Sequence, residues 1–387
     1  MKTISRKKFI TVISIIAVVC LLFVSAAGIF VFKFYSRYSK LIEIDKIVRN
    51  NYFWEIDENV LTDAICEGYI DGIGDKYAYY KNNEETENKK LDTQGKTIGI
   101  GVYVTQNPDN GNIVVTNVMN NSPASKAGLR QFDEIVAIGD ITVDELSYKE
   151  AIDLLKCEQD DIINITVLRG KQHIDIRLLC EEFTTQNVYY RTIDNIGYIK
   201  IISFDRVTYK QFEIAVEALV KQGVKGLIFD VQGNSGGTFD AMSEMLDMLV
   251  GEDDLLTIEY ADDTKKKACH SDENEIDLPM AVLMDSNSAS ASELFAATLR
   301  DYGKAVLIGE KTYGKCVMQR SYTLSDGTSI RITIAKCLTK SGYDFNGKGL
   351  EPDIAIELNS EQEKYYYKLD DDENPLIIAA ADWINKQ

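Results

Sequence analysis

Three serines alternate with alanine in the stretch "NSASASELFAATLRDYGKAVLIGEKTYGKCVMQ", residues 287–319. Ser290 lies three positions before Glu293 and just before an apolar run, which is the spacing of a helix capping box. A serine at a helix start could also be a nucleophile, because the Ala291 N–H would point at a developing oxyanion. The stretch therefore has two interpretations, a simple helix cap and a nucleophile.

A serine nucleophile needs a base, and the chain has two histidines, His173 and His270, neither near Ser290 in sequence. Lysine can serve instead if burial lowers its pKa. Lys315, which precedes the apolar residues 316–318, is the candidate, and Gln319 could hold its amine. The alternative is an ordinary surface lysine in a turn.

A second loop, "GNSGG" at residues 233–237, fits the pattern G-x-S-x-G between a predicted strand and a predicted helix. It makes Ser235 a rival nucleophile, in which case the protein would be an esterase with His270 as base. The glycines could simply form a tight turn. In a third interpretation, the backbone N–H groups of Gly236 and Gly237 bind an oxyanion, because glycine lets the backbone approach closely.

Both loops follow buried apolar strands in a region where strands and helices alternate, from about residue 183 onwards. This alternation predicts a mainly parallel α/β sheet covered on its faces. Ligands of such sheets bind beyond the carboxyl ends of the strands. The polar segment 261–277 interrupts the alternation, and a helix is predicted at the C-terminus.

Upstream of this region the pattern differs. Residues 98–180 hold short runs rich in Val, Ile and Thr with two helical pieces, which predicts a compact α+β module. Residues 41–80 favour two amphipathic helices, with apolar side chains repeating at Leu61, Ile65, Tyr69 and Ile73. The polar stretch 81–97 is predicted to be a loop or linker.

Residues 9–32 form an uncharged run of 24 residues. This length suits a membrane-spanning helix rather than the shorter core of a cleavable signal peptide, although the segment "VSAAG" within the run could be a cleavage site. Basic residues flank the run on both sides, and their weak bias favours a cytoplasmic N-terminus with an exported body.

The composition is that of a globular protein with a net charge of −19. We expect no nucleic-acid partner, because nucleic-acid binding depends on neutralising phosphates and an acidic protein repels them. Seven cysteines are scattered without a CxxC pair or a metal-ligand spacing. Six of them follow the apolar run, and the sequence leaves open whether they form disulfides or remain free thiols.

Together these motifs resemble the carboxy-terminal processing proteases, also called tail-specific proteases. These are serine peptidases with a Ser-Lys dyad, a PDZ domain and a crotonase-like (ClpP-like) α/β core. "SASASE" and "GEKTYGK" are similar to the family's nucleophile and lysine segments. The family's nucleophile lies 25 residues before the lysine, which selects Ser290, and its glutamine corresponds to Gln319. "GLIFDVQGNSGG" resembles the segment whose glycine N–H groups join the oxyanion hole.

The module at residues 98–180 resembles the family's PDZ domain. Its carboxylate-binding loop would be Gly99, Ile100, Gly101 and Val102, where backbone N–H groups receive a peptide's C-terminus. The chain departs from the family pattern at five places: Gln232 replaces an arginine, Ser235 a proline, Cys316 and Phe132 each a glycine, and "GDKYAYY" stands for "LDPYSxY".

The resemblance implies a multidomain protein. We expect a cytoplasmic tail and transmembrane anchor at 1–34, a helical segment and linker at 35–96, a PDZ domain at 97–182, a protease core at 183–360 and a helical tail at 361–387. The protein would be a single-pass membrane protein with its catalytic body outside the cytoplasm. It could form a homodimer.

In this interpretation Ser290 attacks a peptide bond, Lys315 takes its proton and Gln319 orients Lys315. Ala291, Gly236 and Gly237 stabilise the oxyanion. Protein or peptide substrates are held by their C-termini, and no metal or cofactor is implied. The rival from another class is a PDZ scaffold on a catalytically idle core.

Overall fold

The computed structural model describes residues 6–387, apart from a number of side chains between residues 6 and 34. The chain divides after Cys66 into two units. The first unit consists of a long helix, α1 (Arg6–Asn51), and the start of α2 (Glu58–Asp71).

Within the described part of the chain, no helix is both long and apolar enough to cross a membrane. The predicted anchor at residues 9–32 includes side chains that fall outside this description, and it stays a prediction.

The polar stretch predicted to be a loop is instead a helix. After β1 (Tyr79–Lys81), helix α3 (Asn83–Thr93) occupies most of it. Its first turn is closed by a capping box, in which Asn82 accepts from the Glu85 N–H at 3.0 Å and Glu85 accepts from the Asn82 N–H at 3.1 Å. The prediction of a loop was wrong because it was based on the polarity of the residues alone. The Asn-x-x-Glu capping box, which favours a helix, was not taken into account.

The next segment is a compact antiparallel domain. Its elements are β2 (Lys96–Gly99), β3 (Val102–Gln106), β4 (Ile113–Val118), α4 (Pro123–Lys126), β5 (Glu134–Ile138), β6 (Ile141–Thr142), α5 (Tyr148–Leu155), β7 (Ile162–Arg169), β8 (Gln172–Leu179) and β9 (Glu181–Thr184). The main sheet has the order β3-β4-β5-β7-β8, and β2 pairs separately with β9. Its core consists of apolar side chains from the strands and from α5. A disulfide joins Cys157, just after α5, to Cys180, between β8 and β9.

The remainder of the chain forms an α/β layer and a second sheet. Its elements are β10 (Val188–Ile193), β11 (Ile196–Ile201), α6 (Thr208–Lys221), β12 (Leu227–Asp230), α7 (Phe239–Asp247), β13 (Asp253–Tyr260), β14 (Lys265–Ser271), β15 (Met280–Met284), α8 (Ala291–Asp301), β16 (Ala305–Gly309), β17 (Val317–Thr323), β18 (Ser329–Thr339), β19 (Ile354–Ala355), α9 (Ser360–Lys364) and α10 (Pro375–Ile384).

The larger sheet of this layer has the order β10-β11-β12-β15-β16-β19. All neighbours after β11 are parallel, as predicted from the alternation of buried strands and helices. Helices α6, α7 and α8 pack on one face in the largest core cluster, and α10 covers the other. The loops after β12 and β15 therefore emerge at the same edge of the sheet.

The second sheet has the order β1-β18-β13-β14, and β17 also pairs with β18. Strand β14 lies in the polar segment 261–277, which we expected to interrupt the alternation of strands and helices. It pairs with β13 through its backbone and has exposed lysines, which hid its strand character. The sheet places β17, which follows Lys315, next to the turn that precedes β1.

Candidate active site

Ser290 lies directly before α8, in the loop at the carboxyl end of β15. Its φ is +60° and its ψ is −114°, a conformation that a residue with a side chain rarely adopts. Such strained residues persist where the surrounding structure holds them and are common at functional sites. The Ser290 N–H donates to Glu293 Oε2 at 2.8 Å, which is half of the predicted capping box.

The two serines on either side of Ser290 hold the loop in place. Ser288 Oγ donates to the Val231 carbonyl at 2.8 Å, and Ser292 Oγ donates to the Asn234 carbonyl at 2.8 Å. Both serines are buried. The alternation in the sequence therefore has a structural cause: the outer two serines connect the loop after β15 to the loop after β12.

The glycines of the loop after β12 fit closely against this segment. Gly236 has a φ of +103°, and a Cβ there would lie 2.9 Å from both the Ala291 nitrogen and the Ser290 Cβ. A Cβ on Gly237 would lie 2.0 Å from the Phe204 carbonyl oxygen. Only glycine fits these positions, so the loop approaches Ser290 through its backbone.

The free N–H groups beside Ser290 are those of Ala291 and Gly237. Neither donates a hydrogen bond to any group in the part of the chain that the structure describes. The Gly236 N–H is instead directed to Asn234 Oδ1 at 2.8 Å. Of the three predicted oxyanion donors, Ala291 and Gly237 are thus available to a ligand, and Gly236 is already paired.

Gln232, which replaces the family's arginine, is held by its neighbours. Tyr366 donates to its side-chain oxygen, and Lys200 Nζ donates to its carbonyl at 2.8 Å. Lys200 also forms an ion pair with Asp230 at 2.9 Å. The loop has lost the family's arginine, but the Lys200 ammonium, on β11, contacts the loop at the Gln232 carbonyl.

Lys315 is half-buried just before β17, and its Nζ donates to Gln319 Oε1 at 2.8 Å. Burial and, to a smaller extent, the Arg331 guanidinium lower the pKa of Lys315 to about 8. About a tenth of this lysine is therefore neutral at pH 7, and the neutral form is the one that a general base requires.

Glu293 connects the two candidate catalytic residues. Its side chain is fully buried. Oε2 accepts the N–H of Ser290 and the N–H of Lys315, each at 2.8 Å, and Oε1 accepts the Gly314 N–H at 2.7 Å and the Thr312 hydroxyl. The sequence suggested only its capping role. Its contacts with residues 312–315 depend on the tertiary structure, so the spacing of residues along the sequence could not predict them.

Ser290 Oγ and Lys315 Nζ do not form a hydrogen bond to each other in the described part of the chain. Their backbones are nevertheless fixed to the same carboxylate oxygen, so the two loops have a defined relative position. Catalytic hydrogen bonds are often long or absent without substrate and shorten when it binds.

A cleft of about 720 Å³ opens beside Ser290. Ala291, Gly237 and Gln319 contribute to its wall near the serine, and its apolar lining comes from Phe239, Met242, Leu294 and Met318 among others. Tyr103 and Met119 of the antiparallel domain also contribute. An extended peptide could therefore reach Ser290 between the antiparallel domain and the α/β core.

The rival nucleophile, Ser235, is not hydrogen-bonded to either histidine in the described residues. Ser235 is exposed on the glycine loop. His270 lies on β14, where it pairs with Asp254 of β13, and His173 lies on β8 of the antiparallel domain. Neither histidine forms a hydrogen bond with Ser235 among the described residues.

The predicted carboxylate-binding residues line a second groove, of about 320 Å³. Gly99, Ile100, Gly101 and Val102 form one wall, and Ile152 and Leu155 of α5 contribute to the other. The disulfide residue Cys157 also lines this groove. The groove is apolar and is bordered by β3, whose single partner in the main sheet is β4.

Comparison with known proteins agrees with this description. Residues 195–356 match the profile of peptidase family S41, and residues 97–179 match that of the PDZ domain. The chain is 29% identical over 326 residues to the "Carboxy-terminal processing protease CtpA" of Bacillus subtilis, in an alignment that covers 84% of this chain and 70% of the relative. It is 30% identical over 314 residues to a "Probable CtpA-like serine protease" of Staphylococcus haemolyticus, covering 80% of this chain and 63% of that protein.

Among solved structures, the photosystem II D1 C-terminal processing protease matches with a TM-score of 0.51 and 26% identity, covering 82% of this chain and 86% of the other. A "Putative S41 protease" of Bacteroides fragilis matches with a TM-score of 0.61 and 18% identity, covering 87% of this chain and 91% of the other, and shows the fold alone.

Proposed function

Because this chain belongs to peptidase family S41 and is a serine endopeptidase with a PDZ domain, we propose that it binds protein C-termini in its PDZ groove and cleaves them with a Ser290–Lys315 dyad. Its B. subtilis relative is named a carboxy-terminal processing protease. The observation that carries the proposal is the shared Glu293 carboxylate, which fixes the backbones of both residues.

The proposed chemistry uses Ser290, Lys315 and the two N–H groups beside Ser290. Neutral Lys315 accepts the Ser290 proton as Oγ attacks the peptide carbonyl, and the resulting oxyanion is stabilised by the Ala291 and Gly237 N–H groups. The protonated lysine then donates its proton to the leaving amine. Gln319 Oε1 accepts a hydrogen bond from Nζ and so limits its orientations.

The groove of the PDZ domain supports recognition of an apolar C-terminus. Its lining includes Ile98, Val104, Ile152 and Leu155, and its loop offers backbone N–H groups to a carboxylate. A peptide would add as a strand to the free edge of β3, and alternate side chains would enter the apolar groove.

This recognition predicts that cleavage depends on the charge of the substrate's C-terminus. We expect a peptide with an apolar, amidated C-terminus to be cleaved about 10–100-fold less efficiently than the free acid, because a hydrogen bond to a charged group contributes about 1.5–3 kcal/mol. The comparison is made by kcat/KM, with N-terminal acetylation of the same peptide as the control. Equal kcat/KM for the amide and the free acid would contradict C-terminal recognition.

Membrane anchoring is proposed from the sequence alone. The uncharged run at residues 9–32 is long enough to span a bilayer, and its flanking basic residues favour an exported body. We expect protease added to intact cells to degrade the body, leaving only an N-terminal remnant. Western blotting with antibodies against the body tests this, and a body protected until lysis would show that the orientation is reversed or the protein internal.

A further inference from the structure

The turn before β1 contacts both side chains of the proposed base assembly. The Tyr77 carbonyl accepts a hydrogen bond from Gln319 Nε2, although the two residues are 242 positions apart. The Tyr77 ring lies over Lys315, with its centroid 4.7 Å from Nζ. Gln319 thus connects Lys315 on one side to Tyr77 on the other.

The turn has a fixed position on the second sheet. Asp75 Oδ1 accepts the Tyr77 N–H at 2.9 Å, and Asp75 Oδ2 accepts the Thr333 N–H of β18 at 3.1 Å. Two residues after Tyr77, β1 begins and pairs with the same strand, Tyr79 opposite Arg331. Strand β17, which carries Gln319, also pairs with β18. The same strand therefore fixes the positions of both Tyr77 and Gln319.

Charged groups reach Lys315 from every element packed around it. They are Arg331 on β18, Asp75 and Lys76 in the turn, and Glu293 on α8. Two are positive and two negative, so their effects on the lysine oppose one another. The exclusion of water from Nζ is therefore the larger influence on its protonation, as its burial indicates.

We propose that Tyr77 is a positioning residue for the general base: its carbonyl orients Gln319, and its ring fills space that water would otherwise occupy beside Lys315 Nζ. The proposal rests on the proposed function, because it requires Lys315 to act as the base. Tyr77 itself takes no part in the proton transfer: its ring faces Lys315 Nζ, and its carbonyl accepts from Gln319.

The ring has two opposing effects. Its bulk excludes water, which favours the neutral amine, whereas its π face attracts the ammonium. Tyr77→Ala removes both the bulk that excludes water and the π face that attracts the ammonium. Tyr77→Leu keeps much of the bulk and removes only the π face. If exclusion of water dominates, Tyr77→Ala raises the pH at which the enzyme becomes active, and Tyr77→Leu and Tyr77→Phe do not.

The experiment measures the rate of Ser290 labelling by a fluorophosphonate probe against pH, on the full chain, with kcat/KM for a peptide measured in parallel. For Tyr77→Ala we expect the rising limb of the profile to move up by about one pH unit, with about tenfold slower labelling at pH 7 and recovery at high pH. Tyr77→Val serves the same comparison if the alanine variant does not fold. For Tyr77→Phe we expect the wild-type limb, and for Tyr77→Leu, which loses only the π face, a limb no higher than that of the wild type.

Tyr80→Leu, on β1 and three residues after Tyr77, is the matched control. We expect it to alter the unfolding temperature without moving the limb. An unmoved limb in a folded Tyr77→Ala or Tyr77→Val variant, a limb that moves down, or an equal shift in Tyr80→Leu would overturn the proposal. Failure of the proposed function is a separate result, since labelling would then persist in Lys315→Met and the wild type would show no limb near pH 8.

Discussion

Replacing Ser290 with alanine is expected to lower kcat for peptide cleavage by at least about 10⁴-fold, since serine peptidases that lose their nucleophile retain only the catalysis supplied by binding and the oxyanion hole. Ser290 lies at the start of α8 in a strained backbone conformation, beside two unpaired N–H groups. Its hydroxyl lies at the cleft and is not needed to connect the loops, because Ser288 and Ser292 do so.

Ser235→Ala is the matched control for this experiment. Ser235 lies on the glycine loop, is exposed and forms no hydrogen bond with a histidine in the part of the chain that the structure describes. We expect the variant to retain most of the wild-type kcat/KM, measured with the same peptide. If Ser235→Ala were inactive and Ser290→Ala active, the nucleophile would be Ser235 and the esterase interpretation would replace ours. Survival of both activities would point to a PDZ scaffold with a contaminating peptidase.

The second large effect concerns the charge state of Lys315. Its pKa of about 8 means that about a tenth of the lysine is neutral at pH 7. The neutral form is the base, so activity should rise with pH through the pKa and level off above it. Burial lowers the pKa of the Lys315 ammonium, so the neutral amine, which is the active form, is present at high pH and is lost as the pH falls through about 8.

Lys315→Arg is expected to be inactive at every pH in this range, because a guanidinium keeps its proton. Lys315→Met, which keeps the length without the amine, should also lose about 10²–10⁴-fold in kcat, the usual contribution of a general base. Lys311→Arg is the control: Lys311 lies in the same loop but is exposed and pairs with Glu351 at 2.6 Å. Substantial activity in Lys315→Arg would mean that the residue acts as a fixed positive charge, and the dyad mechanism would be wrong.

The candidates Ser290, Lys315 and Gln319 could be proposed from the sequence because each sits in a local pattern: a serine before an apolar helix, a lysine before an apolar strand, a glutamine four residues later. Glu293 was visible only as a helix cap. Its bonds to residues 312–315 join segments that the sequence separates by a helix and a strand, and such contacts have no local signature.

The same limit explains the other differences. Tyr77 belongs to a turn whose position depends on pairing with β18, so its approach to Lys315 could not be read from residues 74–80. The pairing of Cys157 with Cys180 was left open because wide spacing does not determine which thiols meet. The parallel sheet, by contrast, was predictable, because its buried strands are continuous apolar runs flanked by helices.

The pairing of β1 with β18 also has a consequence for the time at which the enzyme can become active. The two strands are separated by about 250 positions, as in the contact between Tyr79 and Arg331, 252 residues apart. At synthesis rates of about 5–20 residues per second, β18 emerges at least about 12 s after β1. Until then the turn carrying Tyr77 has no strand to pair with, and Gln319 has no partner on its far side. During most of its own synthesis the nascent chain therefore lacks the strand that holds Tyr77 next to Gln319.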